Sequence, residues 1–462
     1  MGDLLSMNKI TVHGIGYVGL VLGSGLAELG NQVICLDTDE KKIEQLNEGI
    51  VSFFEPGLEE LLKKNLANNR ISFTTDPVKA VRHGDYQFIT VGTPPAEDGS
   101  ADLSYVFAAS KNIGQFIDKD CIVITKSTIP IGTTHKVKAI IDTELAERKS
   151  NIKVGIAFNP EFLQEGNAVH NFMYPNRIII GSEDPDIIHK MKELFKATLT
   201  SDKQFITMSI CSAELVKYAS NTFLALKISF INEIANIADY MGANINSIKE
   251  GMGADERINP FFLSAGGGYG GSCFSKDIKA LLKAEKRIHY SFPILNAIER
   301  VNERQKHVLF YKVFRYFNEY LYDKTIAVWG LAFKPNSSDM RDAVSITLLQ
   351  DLWQHGCKVR AYDPAAMPEA RALFGTRDDL IFCTSKEDAL IGVDALIIVT
   401  EWEDFLNPDF QLIKKSLKYP VIFDGRNIYN REYLTSLGIE YFSIGRGTCR
   451  ICEETKKHAS SN

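Results

Sequence analysis

The chain has 462 residues, 45% hydrophobic and 24% charged, a balance that points to a globular protein long enough for two or three domains with separate cores. A net charge of -6 leaves no basic surplus for a phosphate backbone, so nucleic acid is not an expected partner. Apolar runs such as 152–158 and 395–400 are of strand length and too short for a bilayer span, and the eight cysteines are spread too thinly for a disulfide framework.

The opening Met1-Gly2-Asp3-Leu4-Leu5-Ser6 matches the loose MGxxxS myristoylation pattern but reads more simply as an unstructured leader over 1–8. No basic segment followed by an apolar core marks a secretory signal, so a reducing cytoplasm is the expected setting. Over 9–205, strand-like runs at 10–12, 32–36, 87–91, 122–126, 154–158 and 177–180 alternate with amphipathic stretches, the signature of a doubly wound parallel sheet. Helices are expected at 41–47 and 57–65, the second entered through the turn Glu55-Pro56-Gly57.

The pattern changes over 206–320. Ser212 is placed to cap a helix running through Leu215, Tyr218, Phe223, Leu226, Phe230, Ile234 and Ile237, with no glycine or proline before Gly242. Such a helix spans roughly 40 Å at 1.5 Å per residue. More helical pattern follows at 277–286 and 293–318. From Lys324 the strand-helix rhythm restarts: Thr325-Ile326-Ala327-Val328-Trp329-Gly330 echoes the start of the chain, 358–363 echoes 32–37, and 394–400 echoes 87–93. This second fold, over 321–448, lacks the later glycines of the first and carries Phe333-Lys334-Pro335-Asn336 instead, so a different nucleotide or none is expected there. The polar tail 449–462 holds Cys449-Arg450-Ile451-Cys452, a CxxC with no second Cys/His pair, and no metal is expected. The fold class is therefore α/β: two Rossmann-like doubly wound domains joined by a central helical region with one long helix.

Three stretches carry chemistry. Gly14-Ile15-Gly16-Tyr17-Val18-Gly19 follows a strand, opens a helix and precedes a second strand ending at Asp37, the context a dinucleotide fingerprint requires. Gly14, Gly16 and Gly19 let backbone N–H groups approach a pyrophosphate, and Asp37 would accept from ribose hydroxyls. A carboxylate there, followed by Thr38 rather than arginine, repels a 2′-phosphate and favours NAD over NADP. Gly270-Gly271-Ser272-Cys273-Phe274-Ser275-Lys276-Asp277, preceded by Gly266-Gly267-Gly268-Tyr269, sets one thiol between a glycine-rich loop and a Lys/Asp pair, the setting of a nucleophile able to add to an aldehyde. Glu161 and Glu165 follow directly on strand 154–158, at the sheet edge where ligands bind, which makes Glu161 a candidate acid/base. Glu214, Lys217 and Asn221 share one helix face; read from the residues alone they form a solvated polar stripe.

With these in place, the stretch from about Lys9 to Ile444 resembles the UDP-glucose 6-dehydrogenase family, within the nucleotide-sugar dehydrogenases that also include the GDP-mannose and UDP-N-acetylhexosamine enzymes. The resemblance rests on the glycine loop, Val91-Gly92-Thr93-Pro94, Lys126-Ser127-Thr128-Ile129-Pro130, 159–166, 214–221, 270–277, and Phe333-Lys334 with Arg341. It implies a four-electron oxidation of a C6 alcohol to a carboxylate using NAD twice. Lys217 and Asp277 would assist proton removal, Cys273 would hold the aldehyde as a thiohemiacetal and then a thioester, and Lys217 and Asn221 would stabilise the oxyanion. Glu161 would activate water for hydrolysis with Thr128 positioning it.

The resemblance further places Tyr17, Val18, Asp37, Lys42, Thr93, Thr128, Glu165, Lys276 and Arg341 with NAD. It places Glu161, Phe162, Leu163, Lys217, Asn221, Phe262, Tyr269, Gly270, Phe274, Phe333, Lys334 and Arg426 with the sugar nucleotide. Arg257 would reach a neighbouring subunit's sugar site, implying at least a homodimer built on the central helices. His13 in the glycine loop, Ser264 and Ser275 depart from the common pattern without removing a group the mechanism needs. UDP-glucose is the implied substrate; the same chemistry on GDP-mannose or a UDP-N-acetylhexosamine, and a non-catalytic nucleotide-sugar or NAD-binding regulator, are the alternatives.

Overall fold

The computed structural model describes residues 7–96 and 99–447; the myristoylation pattern and the Cys449/Cys452 pair lie outside the described residues. The chain divides into two compact units. The first runs to Ser220 and includes Lys279–Arg287; the second comprises Asn221–Ile278 and the chain from Ile288.

The first unit is built on β1 (Lys9–His13), β2 (Gln32–Leu36), β3 (Ile71–Thr74), β4 (Tyr86–Ile89), β5 (Cys121–Thr125), β6 (Val154–Phe158), β7 (Ile178–Gly181) and β8 (Phe205–Met208), in the sheet order β3-β2-β1-β4-β5-β6-β7-β8. The inner strands β4 and β5 are buried along their whole length, as strands covered on both faces by helices must be. Helix starts follow local chemistry: Asp76 and Asp184 each precede a proline, and their carboxylates accept from the first-turn N–H groups of Pro77–His83 and Pro185–Phe195. The expected all-parallel sheet needs one correction. β7 runs antiparallel to β6 and carries β8 parallel to itself.

The long helix, Ile210–Met241, is 32 residues. It begins two residues before the expected cap: the hydroxyl of Ser209, not that of Ser212, accepts the Ser212 N–H at 3.2 Å. The expected helix at 293–318 is two helices, Pro293–Lys306 and Val308–Tyr316, meeting at His307. The helix expected at 277–286 spans Phe274–Ile288, so Cys273 immediately precedes its first residue.

The second unit carries β9 (Thr325–Trp329), β10 (Lys358–Tyr362), β11 (Leu380–Phe382), β12 (Ala395–Ile398), β13 (Val421–Asp424) and β14 (Glu440–Ser443) in the parallel order β11-β10-β9-β12-β13-β14. This repeats the order of the first six strands of the first unit. Its core is anchored by Trp329 stacked on Phe405 with ring centroids 5.2 Å apart. Among the described residues no helix is long and apolar enough to cross a membrane, and no group of three or more His, Cys, Asp or Glu could hold a metal ion.

Candidate active site

In the first unit the glycine loop closes β1 onto the helix Tyr17–Glu28. A Cβ on Gly19 would meet the Gly14 carbonyl at 2.0 Å, so that glycine is demanded by helix-strand packing, whereas a Cβ on Gly16 would meet nothing within 4 Å. Gly16 therefore faces open space at a helix N-terminus, the arrangement a pyrophosphate needs. At the end of β2, Asp37 Oδ2 accepts from the Ile15 N–H at 2.8 Å and from Lys42 Nζ at 3.1 Å. Burial acts to raise the Asp37 pKa, but the bonds from Ile15, Lys42 and Asp39 outweigh it and the carboxylate lies below its ordinary value. His13 is not a loop residue: it ends β1, buried, with Nε2 2.7 Å from Gln87 Oε1, and burial lowers its pKa to about 4, so the ring is neutral. Thr93 donates its hydroxyl to the Thr128 carbonyl at 2.8 Å, joining two of the proposed cofactor contacts.

The loop after β6 carries the first unit's acid/base candidates. Lys217 Nζ donates to Glu161 Oε1 and to the Glu161 carbonyl, both at 2.7 Å, and Glu161 Oε2 accepts the Leu163 N–H at 2.8 Å. Burial acts to raise the Glu161 pKa; the charge and hydrogen bond of Lys217, the Leu163 N–H and the charge of Lys126 together hold it below the usual carboxylate value. Phe162 lies under the Arg177 guanidinium at 3.8 Å, with Lys217 Nζ 5.6 Å from the same ring. The polar stripe is not solvated: Glu214, Lys217 and Asn221 are all buried. Glu214 has a structural task, accepting from the N–H groups of Gly132 and Thr134 and the Thr134 hydroxyl.

Two residues here were not singled out by the sequence. Lys126 stands at the end of β5, buried, with Nζ 2.9 Å from Asn159 Oδ1. Its pKa is pushed down to about 8 by burial, with Glu161 acting to raise it and Lys217 to lower it. Glu55 is the second, a buried carboxylate bonded to Tyr17 and to the end of the 159–166 loop. Lys126 lay inside a recognised motif, whereas nothing local marked Glu55 beyond its turn.

In the second unit Cys273 is an exposed cysteine, its sulfur 3.6 Å from the Ser272 hydroxyl oxygen. Its carbonyl accepts the Asp277 N–H at 2.9 Å, the first bond of the helix Phe274–Ile288, so the residue stands at a helix N-terminus, where the helix dipole favours a negative charge. Asp277 is buried and accepts from Asn221 Nδ2 at 2.7 Å, and Lys276 Nζ lies 3.9 Å from its other oxygen. The glycine loop ahead of the cysteine is buried and closely packed against the protein: Gly271 has φ +87°, a Cβ there would strike the Phe333 ring at 2.8 Å, and its N–H donates to the Arg341 carbonyl at 2.8 Å. A Cβ on Gly270 would strike the Asp342 carbonyl at 2.3 Å.

Aromatic residues flank this turn. Tyr269 and Phe274 meet edge to face at 5.6 Å, Phe262 lies 6.4 Å from Phe274, and Phe262 holds a φ of +63°, an uncommon conformation for a bulky residue. Arg426 follows β13 and binds the Val399 carbonyl at 2.7 Å and the Phe333 carbonyl at 3.0 Å, fixing the Phe333-Lys334 loop at the carboxyl edge of the second sheet. Lys334 Nζ lies 5.3 Å from the Phe333 ring centre. Arg257 and Arg341 are exposed and each forks onto an aspartate two residues earlier, Asp255 and Asp339.

Residues 8–199 match the NAD binding domain of the UDP-glucose/GDP-mannose dehydrogenase family, 211–304 its central domain and 327–431 its UDP binding domain. A UDP-glucose 6-dehydrogenase of Pseudomonas aeruginosa is 42% identical over 451 residues, which is 96% of this chain and 99% of that one. The UDP-glucose 6-dehydrogenase TuaD of Bacillus subtilis is 41% identical over 98% of this chain and 96% of its own. Among solved structures, a UDP-glucose dehydrogenase of the hyperthermophilic archaeon Pyrobaculum islandicum superimposes with a TM-score of 0.87 at 35% identity, covering 97% of this chain and 100% of that one. With all three family domains matched in order and near-complete coverage of its relatives, this chain belongs to the UDP-glucose/GDP-mannose dehydrogenase family.

Proposed function

We propose that this chain oxidises UDP-glucose at C6 to UDP-glucuronate, a four-electron change that consumes two NAD and leaves no free aldehyde. The observation that carries the reading is an exposed thiol opening a helix, Cys273, in a chain whose glycine loop also leaves an open dinucleotide cradle at Gly16. NAD, held by the glycine loop, Asp37 and Lys42, supplies the hydride acceptor for each of the two oxidations. Lys217 and Asp277 assist removal of the C6 hydroxyl proton. The Cys273 sulfur then bonds to C6 as the carbonyl electron pair moves onto oxygen, and that oxyanion is stabilised by the Lys217 charge and an Asn221 N–H. Oxidation of this adduct leaves a thioester, which water cleaves to the carboxylate and the free thiol. Glu161, kept ionised beside Lys217, takes the proton from that water, and Thr128 positions it.

We infer further that the chain divides into domains at 9–205, 206–320 and 321–448, that Phe162, Tyr269, Phe333 and Arg426 contact the sugar nucleotide, that the protein works in the cytoplasm, and that it assembles as at least two copies in which Arg257 reaches the other copy's sugar. The exposed apolar residues Phe223, Phe230 and Ile237 on the long helix support the last. The deciding experiment is the NADH formed per sugar nucleotide consumed, with UDP-glucose, GDP-mannose and UDP-N-acetylglucosamine offered separately. Two NADH per UDP-glucose and none from the others is expected, and Cys273→Ala should lose the second equivalent more severely than the first. One NADH per sugar in the unmodified protein would remove the thioester route; turnover of another sugar nucleotide would move the substrate while keeping the chemistry.

A further inference from the structure

The chemistry above makes no use of Glu55, yet its carboxylate is among the most fully bonded in the first unit. It is buried, and Oε2 accepts from the Tyr17 hydroxyl and, at 2.6 Å, from the Gly166 N–H. Oε1 accepts from the Ala168 N–H at 2.7 Å and more weakly from the Val169 N–H at 3.4 Å. The Gly166 N–H also lies 3.2 Å from the Tyr17 oxygen. Tyr17 is the first residue of the helix that opens at Gly16, and its ring packs on Phe53 with centroids 5.1 Å apart. Gly166 and Ala168 close the loop that starts after β6 and carries Glu161 and Glu165. The helix Ala168–Met173 does not draw its cap from Asn167, the residue in the cap position, which makes no side-chain capping bond. The acceptor comes instead from Glu55, whose other oxygen accepts from Tyr17.

We propose that Glu55 is a positioning residue that locks the cofactor cradle at Tyr17 to the Glu161–Gly166 loop, so that dinucleotide binding and the placement of the loop carboxylates are set together. This rests on the reading of the glycine loop as an NAD site. Burial, reinforced by the hydrogen bond to Glu55 and its charge, raises the Tyr17 hydroxyl above its ordinary pKa, so it remains a donor at working pH. In Glu55→Gln the amide nitrogen must face either the Gly166 or the Ala168 N–H, donor against donor, so the loop loses one of its two short bonds to residue 55 and the lock is weakened.

The test uses the full-length protein with two readouts, the NADH dissociation constant by fluorescence titration and amide hydrogen exchange over 17–20 and 160–168. Glu55→Gln should weaken NADH binding by about tenfold, within the usual range of coupling between linked sites, and speed exchange in both segments. Faster exchange at 160–168 with an NADH constant within twofold of the unmodified protein would reduce Glu55 to a helix cap and overturn the proposal. If Glu55→Gln does not fold, Tyr17→Phe serves, because it leaves the carboxylate free to cap Gly166 and Ala168. Faster exchange at 160–168 in that variant is expected, and unchanged exchange would overturn the lock. Failure of the unmodified protein to bind NADH would sink the NAD reading itself, while exchange at the two segments would still report whether they are coupled.

Discussion

At the residue scale, the carboxyl edge of the first sheet buries three ionisable side chains together: Lys126, Glu161 and Lys217. Glu161 and Lys217 are paired at 2.7 Å, which leaves Lys126 with a neutral amide as its bonded partner. Burial is the larger influence on Lys126 and brings its pKa to about 8 from an ordinary 10.5. Below pH 8 both folded and unfolded chains hold the proton, and the folded state bears the full cost of burying the charge. Between 8 and 10.5 the unfolded chain binds a proton that the folded chain has released, so this group makes stability rise with pH, by up to about 1.4 kcal/mol per unit. We therefore expect the unfolding free energy of the unmodified protein, relative to Lys126→Met, to improve by about 2 kcal/mol between pH 7.5 and 9.5 in urea titrations. Subtracting the variant removes the groups that titrate alike in both. A difference that stays flat would mean that Lys126 keeps its proton across that range and is better solvated than its burial indicates.

Elements hold one another through side chains that reach far along the chain. The helix Thr133–Glu147 has Gly132 at its cap position and no acidic residue in its first turn, so it cannot cap itself. Glu214 of the long helix supplies the acceptors, 2.9 Å from the Thr134 N–H and 2.7 Å from the Thr134 hydroxyl, and in doing so fixes the start of the long helix to the first sheet's helical layer. Glu214→Ala leaves those buried donors unpaired, and a loss of about 2–3 kcal/mol is expected in thermal or urea unfolding. Glu214→Gln keeps one acceptor and should lose about half as much; equal losses in the two variants would show that charge rather than bonding is at stake. The contrast with what the sequence reveals is instructive. Strands β1, β2, β4, β5 and β6 are legible because each is a compact apolar run bounded by turn residues, and the glycine loop because its context is local. The reversal of β7 is not, since strand direction is fixed by the path of the connection and leaves no periodic trace. Glu214 reads as solvent-facing because its partners lie 80 residues away, and Glu55 is hidden for the same reason, bonding Gly166 across 111 residues.

At the scale of the whole molecule, two sheets of the same design have diverged at one acid. Gly14 and Gly330 hold nearly the same φ, +91° and +92°, and each donates its N–H to the end of the neighbouring strand, at Leu36 and Tyr362. Asp37 and Asp363 likewise both accept from the backbone just after that glycine. Asp363, however, also takes the Ala332, Ala365 and Ala366 N–H groups and the Trp402 indole, and it is buried. Its acceptor capacity is consumed by the protein, so Asp363 is not available to a ribose; in the reading we propose, Asp37 takes that part in the first sheet and Phe333 and Arg426 meet the ligand in the second.

The long helix is apolar on two faces. Ile231 and Ala235 pack into a core with Ile245, Leu263 and Ile444, while Phe223, Phe230 and Ile237, spaced by seven, remain 60%, 45% and 57% exposed. A row of large apolar side chains along such a helix is costly to leave in water, and a second copy presenting the same row about a two-fold axis covers both at once. Phe230 is the middle residue, so in Phe230→Glu each copy brings a carboxylate into the centre of the interface. Light scattering at micromolar concentration should give at least twice the chain mass for the unmodified protein and a single-chain mass for the variant, with the helical signal of the two unchanged. A single-chain mass for the unmodified protein would show that the row faces water and would remove the reason for Arg257 to act across subunits. An assembly that survives Phe230→Glu would place the interface on another surface.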